Sequence, residues 1–142
     1  MVTAIRKKDR GSAIVEFAVI LPLLALILCG IIEYGFMFYL QISLTNASRE
    51  GARAGITRID GSATTLAVSV STNYLKAARI MPEEMPPGGY ETEISAEISP
   101  PNEATGEPST LIVSIVHKYE SIVGLIPTPE TLTAVAVMRR AL

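Results

Sequence analysis

GSAIVEFAVILPLLALILCGII, residues 11 to 32, decides how this chain must be read. A run of about 20 apolar residues is what a helix needs to cross the ~30 Å of bilayer hydrocarbon. One charged residue, Glu16, interrupts the run near its start. A basic cluster, Arg6, Lys7, Lys8 and Arg10, stands before it, and the aromatics Tyr34, Phe36, Phe38 and Tyr39 follow it. By the positive-inside rule the basic tail stays in the cytoplasm, which puts the rest of the chain beyond the membrane and the aromatics at the outer interface. Pro22 has no N–H for the Ala18 carbonyl, a defect that kinks helices and that membrane helices tolerate where neighbours compensate.

Three readings of this N-terminus compete. A cleaved secretory signal has an apolar core of ~7–15 residues that ends at a small-x-small site. Here the run is longer, and Leu28-Cys29-Gly30 offers no such site. A lipoprotein signal would use Cys29 but needs a small residue before it, and Leu28 is large. A permanent anchor fits both length and flanks.

Composition narrows the rest. The 142 residues suit one small domain plus the membrane segment. Such a domain has a modest core and leans on its neighbours. The formal charge of −2, with no stripe of Lys, Arg and aromatics beyond the N-terminus, argues against a nucleic-acid partner. Cys29 is the one cysteine, so no intramolecular disulfide can form.

Glu16 is what a plain anchor leaves unexplained. A charged side chain at the helix centre costs roughly 2.5–3.5 kcal/mol on insertion scales and is a functional-site hypothesis by default. Either Glu16 sits shallow enough to reach headgroups, or it has a specific partner. A cut after Gly11 would give Ser12 a new α-amino cation, four residues from Glu16 and on the same helix face. The amine of a neighbouring chain would serve equally well.

A short basic leader, Gly11 before a cut, Glu16 at the fifth mature position, Phe17 at the sixth and a long apolar helix together resemble a type IV prepilin N-terminus. More closely, RGSAIVEFAVILPLLALILCGIIEYGFMFYLQISLTNASREGARAG is similar to the TadE-like family, minor pilins or pseudopilins of tight-adherence (Flp/Tad) pili. The C-terminal AVAVMRR also looks like that family's end. The resemblance implies cleavage by a prepilin peptidase between Gly11 and Ser12, with Glu16 as the assembly glutamate beside Phe17. It implies major and minor pilins, the peptidase and an inner-membrane assembly platform as partners, besides membrane lipid, and no cofactor. Major Flp pilins carry Glu-Tyr where this chain has Glu16-Phe17, and they lack a sizeable C-terminal domain. Both departures point to a minor component.

The expected organisation is a leader over 1–11, a transmembrane helix over 12–40 and an extracytoplasmic domain over 41–142. The helix is expected to continue to about Gly55, where Gly55 and Gly61 mark an end and a turn. Ser43, Ala47, Gly51 and Gly55 form a strip of small residues that lets another helix approach closely. That helix belongs either to another subunit or to the chain's own domain. Arg49, Glu50 and Arg53 read as a solvated face.

A second helix is expected over Ser62–Ile80, with Leu66, Val70, Tyr74, Leu75 and Ala78 at helical spacing, Asp60 or Ser62 as N-cap, and Met81-Pro82 as the stop. PEEMPPGGY is then a turn-rich linker. Period-2 alternation predicts three strands: Glu91–Ser99, Thr110–Tyr119 and Thr131–Arg139. Ile94, Ala96 and Ile98 share one face of the first. In the second, Leu111, Val113, Ile115 and His117 oppose Ile112, Ser114, Val116 and Lys118. In the third, Leu132, Ala134 and Ala136 share a face. The class is α+β: a long membrane helix, then a second helix and a three-stranded antiparallel sheet packed on the helices. Between the last two strands, SIVGLIPTPE is apolar but broken by Gly124, Pro127 and Pro129, and reads as a loop covering the sheet. Exposed, it would be a partner site.

Nothing in the sequence has catalytic spacing. His117 is the only histidine and has no cysteine near it, Gly88-Gly89 is followed by no Lys-Ser/Thr, and metal-ligand spacing is missing. Glu91, Glu93 and Glu97 are expected to line a solvated sheet face. The expected function is therefore non-enzymatic, a minor pilin in pilus assembly and adhesion. The alternative is a membrane-anchored periplasmic binding or scaffold module that never enters a filament.

Overall fold

A computed structural model describes residues 9–58, 61–84, 91–101 and 108–139. Arg6, Lys7 and Lys8 of the leader cluster, the Asp60 cap candidate, Gly88-Gly89 with most of the PEEMPPGGY linker, and the centre of the loop after the first strand lie outside the described residues. Helix α1 runs Asp9–Ile56, unbroken through Pro22, and α2 runs Ala63–Ala77. Strands β1 (Thr92–Ser99), β2 (Thr110–Lys118) and β3 (Thr131–Arg139) form one antiparallel sheet in the order β1-β2-β3. The α+β class expected from the sequence is the class observed.

Residue alternation builds the sheet. Leu111, Val113, Ile115 and His117 of β2 point inward and are buried, as are Leu132, Ala134 and Ala136 of β3. The register aligns Ala96 with Val113 and Val113 with Ala136, so the inward residues of all three strands form continuous rows. Glu91, Glu93 and Glu97 are exposed. Both helices cover the inner face of the sheet.

Two packed clusters hold the layers together. One joins Leu40, Leu44 and Ala47 of α1 to Leu75, Met81, Ile115, Tyr119, Leu132 and Ala134. The other joins Ala52 to Ala67, Leu111, Val113 and Ala136. Burying a Leu or Ile of this kind contributes roughly 1.5–3 kcal/mol, which is what offsets the ordering of so short a domain.

The stem of α1 is different. Every residue from Gly11 to Leu28 is exposed, and its apolar side chains cover the whole circumference. A helix apolar all round and packed on nothing in its own chain needs an apolar surrounding. It is long and apolar enough to cross a membrane, as a single-pass anchor would be.

Helix α2 departs from expectation twice. It ends at Ala77, before Met81-Pro82. The Arg79 N–H donates to the Lys76 carbonyl and the Ile80 N–H to the Leu75 carbonyl, with Arg79 at φ 57°. These are the two bonds of a Schellman motif, which closes a helix without proline. Ile80 packs back on the cluster that holds Leu75, the apolar contact that accompanies such an end. Ser62 holds the N-cap position without a side-chain cap bond. The buried face of α2 is also not the expected one. Ala63, Ala67, Ser71 and Leu75 are buried, whereas Tyr74 is exposed and Leu66 and Val70 are half-buried. Small residues win the inner face because α1 comes too close for large ones.

Candidate functional site

Three places on α1 carry the chemistry. The first is the start of the stem. Ser12 Oγ donates a hydrogen bond to Glu16 Oε1 at 3.1 Å, so the two residues share one helix face a turn apart. Phe17 beside them is exposed, and a Cβ at Gly11 would meet nothing within 4 Å. Among the described residues none covers Gly11, Ser12, Glu16 or Phe17.

The second place is the small-residue strip. Ser43, Ala47, Gly51 and Gly55 are all buried. Helix α2 is seated on the strip. The Ser71 hydroxyl donates to the Ala47 carbonyl at 3.1 Å. A Cβ at Gly51 would collide with Ser71 Oγ and lie 2.6 Å from the Ala67 carbonyl oxygen. At Gly55 it would lie 2.6 Å from Leu111 Cδ2 and 2.7 Å from the Ala63 carbonyl oxygen. Of the two helices the strip could receive, the one present is the chain's own. Gly55 thus serves helix contact in the last turn of α1, which ends at Ile56, one residue past the expected end. Arg49, Glu50 and Arg53 stay in solvent, with an exposed Arg53–Glu50 pair at 3.7 Å.

The third place was not singled out from the sequence. Glu33 is fully buried in α1, one residue past the apolar run. Its Oε1 accepts from the Tyr119 hydroxyl at 2.6 Å and from the Ile122 N–H at 3.2 Å. Its Oε2 accepts from the Val123 N–H at 2.8 Å. A buried carboxylate is tolerable when its lone pairs are met in this way. The segment after β2 is thereby fastened to α1. Ile126 packs against Gly30, where a Cβ would come within 3.2 Å of Ile126 Cδ1, and the Tyr34 hydroxyl reaches the Pro127 carbonyl at 3.4 Å. The expectation that SIVGLIPTPE covers the sheet is therefore corrected. It runs along α1 because Glu33 supplies acceptors for backbone N–H groups that no strand partner meets. The available signal was a lone acid beside an apolar helix, paired with an uncharged loop.

Burial and the adjacent Glu33 carboxylate push the Tyr119 phenol up to about 12. His117, inward on β2, bonds Thr92 Oγ1 through Nδ1 at 2.7 Å. Burial lowers its pKa, and Glu91 opposes that in part. A groove of about 270 Å3 lies between Phe36 and Tyr39 on α1, the end of α2 and the end of β2. His117 and Glu91 line it, but His117 faces no nucleophile there. Among the described residues no group of three His, Cys, Asp or Glu side chains could hold a metal.

A bare apolar stem that enters a small α+β domain defines a helix-anchored protein whose stem and domain share one continuous helix. Residues 11–53 match the family model described as TadE-like protein. The matched family is the one that the sequence resembles, and the match covers the stem and the part of α1 that packs in the domain. No curated protein and no solved structure matches the chain.

Proposed function

We propose that the chain is a minor pilin or pseudopilin of a tight-adherence pilus. It is held in the inner membrane with its N-terminus cytoplasmic, and it joins other pilus subunits through its stem. The observation that carries this reading is the stem itself. From Gly11 to Leu28 it is free of the domain and apolar on every side, and its single charge, Glu16, lies one turn from Ser12. Cleavage by a prepilin peptidase after Gly11 turns Ser12 into an α-amino cation at that depth. In a bundle of such stems, the amine of one subunit pairs with Glu16 of the next, and the assembly platform and the major and minor pilins are the partners.

Intact mass from cells with and without the prepilin peptidase tests the reading. The expected result is loss of residues 1–11 only when the peptidase is present, and no loss in Gly11→Leu. A chain that keeps residues 1–11 beside an active peptidase is instead an anchored scaffold outside the filament.

A further inference from the structure

We infer that the loop from Ser121 to Pro127 is a second membrane contact, with Ile122 and Leu125 inserted in the outer headgroup–acyl boundary beside the stem. The inference rests on the reading of α1 as a membrane anchor. Depth is the first argument. At 1.5 Å per residue the run from Gly11 to Ile32 spans roughly 33 Å, about the thickness of the hydrocarbon core. The loop is tied to α1 at Gly30, Glu33 and Tyr34, the end of that span. It therefore lies where hydrocarbon gives way to headgroups.

Chemistry is the second argument. SIVGLIPTP, residues 121–129, contains no charged side chain. Its two largest exposed apolar residues, Ile122 at 57% and Leu125 at 69%, have no contact in the chain that removes them from solvent. The stem residues Leu28, Ile31 and Ile32, beside the points where the loop is tied to α1, are also exposed. Three successive N–H groups of the loop are met from the protein side. Ile122 and Val123 donate to Glu33, and Gly124 donates to Ser121 Oγ at 2.8 Å. Each N–H met internally lowers the cost of entering an interface, and the headgroup region still offers hydrogen-bond partners to the groups at its edge. Gly124, at φ 68°, turns the backbone just before the exposed Leu125. A stem alone lets the domain swivel and tilt, and a second contact beside it sets the domain's height and rotation on the bilayer. Glu33 is the positioning residue for that contact.

The chain has no tryptophan, so single tryptophans report depth without interference. Full-length Leu125→Trp, Leu21→Trp and Val137→Trp are placed in phosphatidylcholine–phosphatidylglycerol vesicles whose acyl chains are brominated either near the glycerol or near the tail. Leu125→Trp is expected to emit to the blue, to be quenched more by the shallow bromines, and to lose at least half the fraction that Leu21→Trp loses. Val137→Trp, exposed on the far face of the sheet, is expected to lose nothing. Quenching of Leu21→Trp without quenching of Leu125→Trp overturns the loop contact and leaves the anchor standing. No quenching of Leu21→Trp overturns the anchor, and the loop contact with it. A blue shift of Leu125→Trp that grows with the protein-to-lipid ratio without quenching means a second copy covers the loop, which also overturns the proposal. Adding Glu33→Gln to Leu125→Trp is expected to reduce the shallow quenching while that of Leu21→Trp stays unchanged.

Discussion

Tyr119 at the end of β2 and Glu33 in α1 share a hydrogen bond of 2.6 Å between residues 86 apart in sequence. This bond closes the domain onto its stem. On one side of it lie the core residues Leu40, Ile115 and Leu132, and on the other the loop between β2 and β3. Because Glu33 belongs to the same unbroken helix as Glu16, the pose of the domain and the axial position of the stem are mechanically coupled.

Tyr119→Phe is the mildest way to break that closure. A hydrogen bond to a charged group contributes roughly 1.5–3 kcal/mol, and the ring itself is kept. Thermal unfolding of the detergent-solubilised chain should show a lower Tm, with helix content unchanged before the transition.

The same pair sets an alkaline limit. The phenol is raised from 10 to about 12 in the fold, so the unfolded chain loses this proton first as pH rises. The stabilisation is full below about pH 10 and is lost as pH climbs through about 12. Absorbance titration of tyrosinate should show one phenol ionising late in the wild type, and that late step should be missing in Tyr119→Phe.

Gly51→Ala tests the seat of α2. Alanine normally favours a helix over glycine by about 1 kcal/mol. Here the new Cβ meets backbone at the Ala67 carbonyl, which cannot rotate away. Overpacking of this kind costs typically 1–3 kcal/mol, so the net change should be a loss of stability. Gly35→Ala on the same helix meets nothing within 4 Å and should be neutral or stabilising. Equal Tm values for the two variants would refute the close seat.

Much of this architecture was legible in the sequence, for physical reasons that differ by element. Strand alternation is a short-range signal, and β3 runs Thr131–Arg139 as expected. The apolar stem was legible because bilayer thickness fixes its length. The inner face of α2 was not, because large apolar residues mark a helix face only when the partner stands off. Against Gly51 and Gly55 the backbones come close, and Ala63, Ala67 and Ser71 take the interior while Tyr74 turns outward. Glu33 was missed because its partners are backbone N–H groups of Ile122 and Val123, far along the chain. Backbone partners leave no mark in residue type. Of the candidate site, the Ser12–Glu16 spacing was readable, since helical geometry alone sets it.

Arg79→Gly should stabilise the domain. Arg79 holds the left-handed position of the Schellman end at φ 57°, where an L side chain costs roughly 1–2 kcal/mol. Glycine removes that cost but loses more backbone entropy on folding, so a net gain of about 0.5–1 kcal/mol is expected. Chemical denaturation read by circular dichroism would measure it, and a shift to lower denaturant would contradict the αL assignment.

His117 gives the domain an acid-side dependence of opposite sign to that of Tyr119. Its native pKa lies below the ordinary 6.5, chiefly because of burial. Between those two values the unfolded chain binds more protons, so stability is full above about pH 6.5 and falls as pH drops through the native pKa. The Tm difference between wild type and His117→Gln should therefore move against the wild type between about pH 8 and pH 5. A constant difference over that range would mean the imidazole is free to protonate in the fold.

Glu16→Ala separates insertion from assembly. The helix keeps its length, and a costly group leaves the apolar run, so membrane levels should equal or exceed the wild type. On the proposed reading residues 1–11 should still be lost, since the proposed cut lies at Gly11, away from the carboxylate. What should fall is the fraction of the chain cross-linked to, or co-purified with, other pilus subunits. In the proposed bundle of stems, a subunit in register would set its Ser12 amine against the neighbouring Glu16. Any offset strands one cation and one carboxylate in lipid, and an uncompensated buried charge is strongly destabilising. With the carboxylate gone, all registers strand the amine alike, and the helix stems lose their preference for one. Glu16→Gln keeps size and polarity without charge, so it should behave like Glu16→Ala if pairing is what matters. Wild-type co-assembly of Glu16→Gln alone would reduce the role of Glu16 to hydrogen bonding. Wild-type co-assembly of both variants would leave Glu16 a headgroup-facing residue.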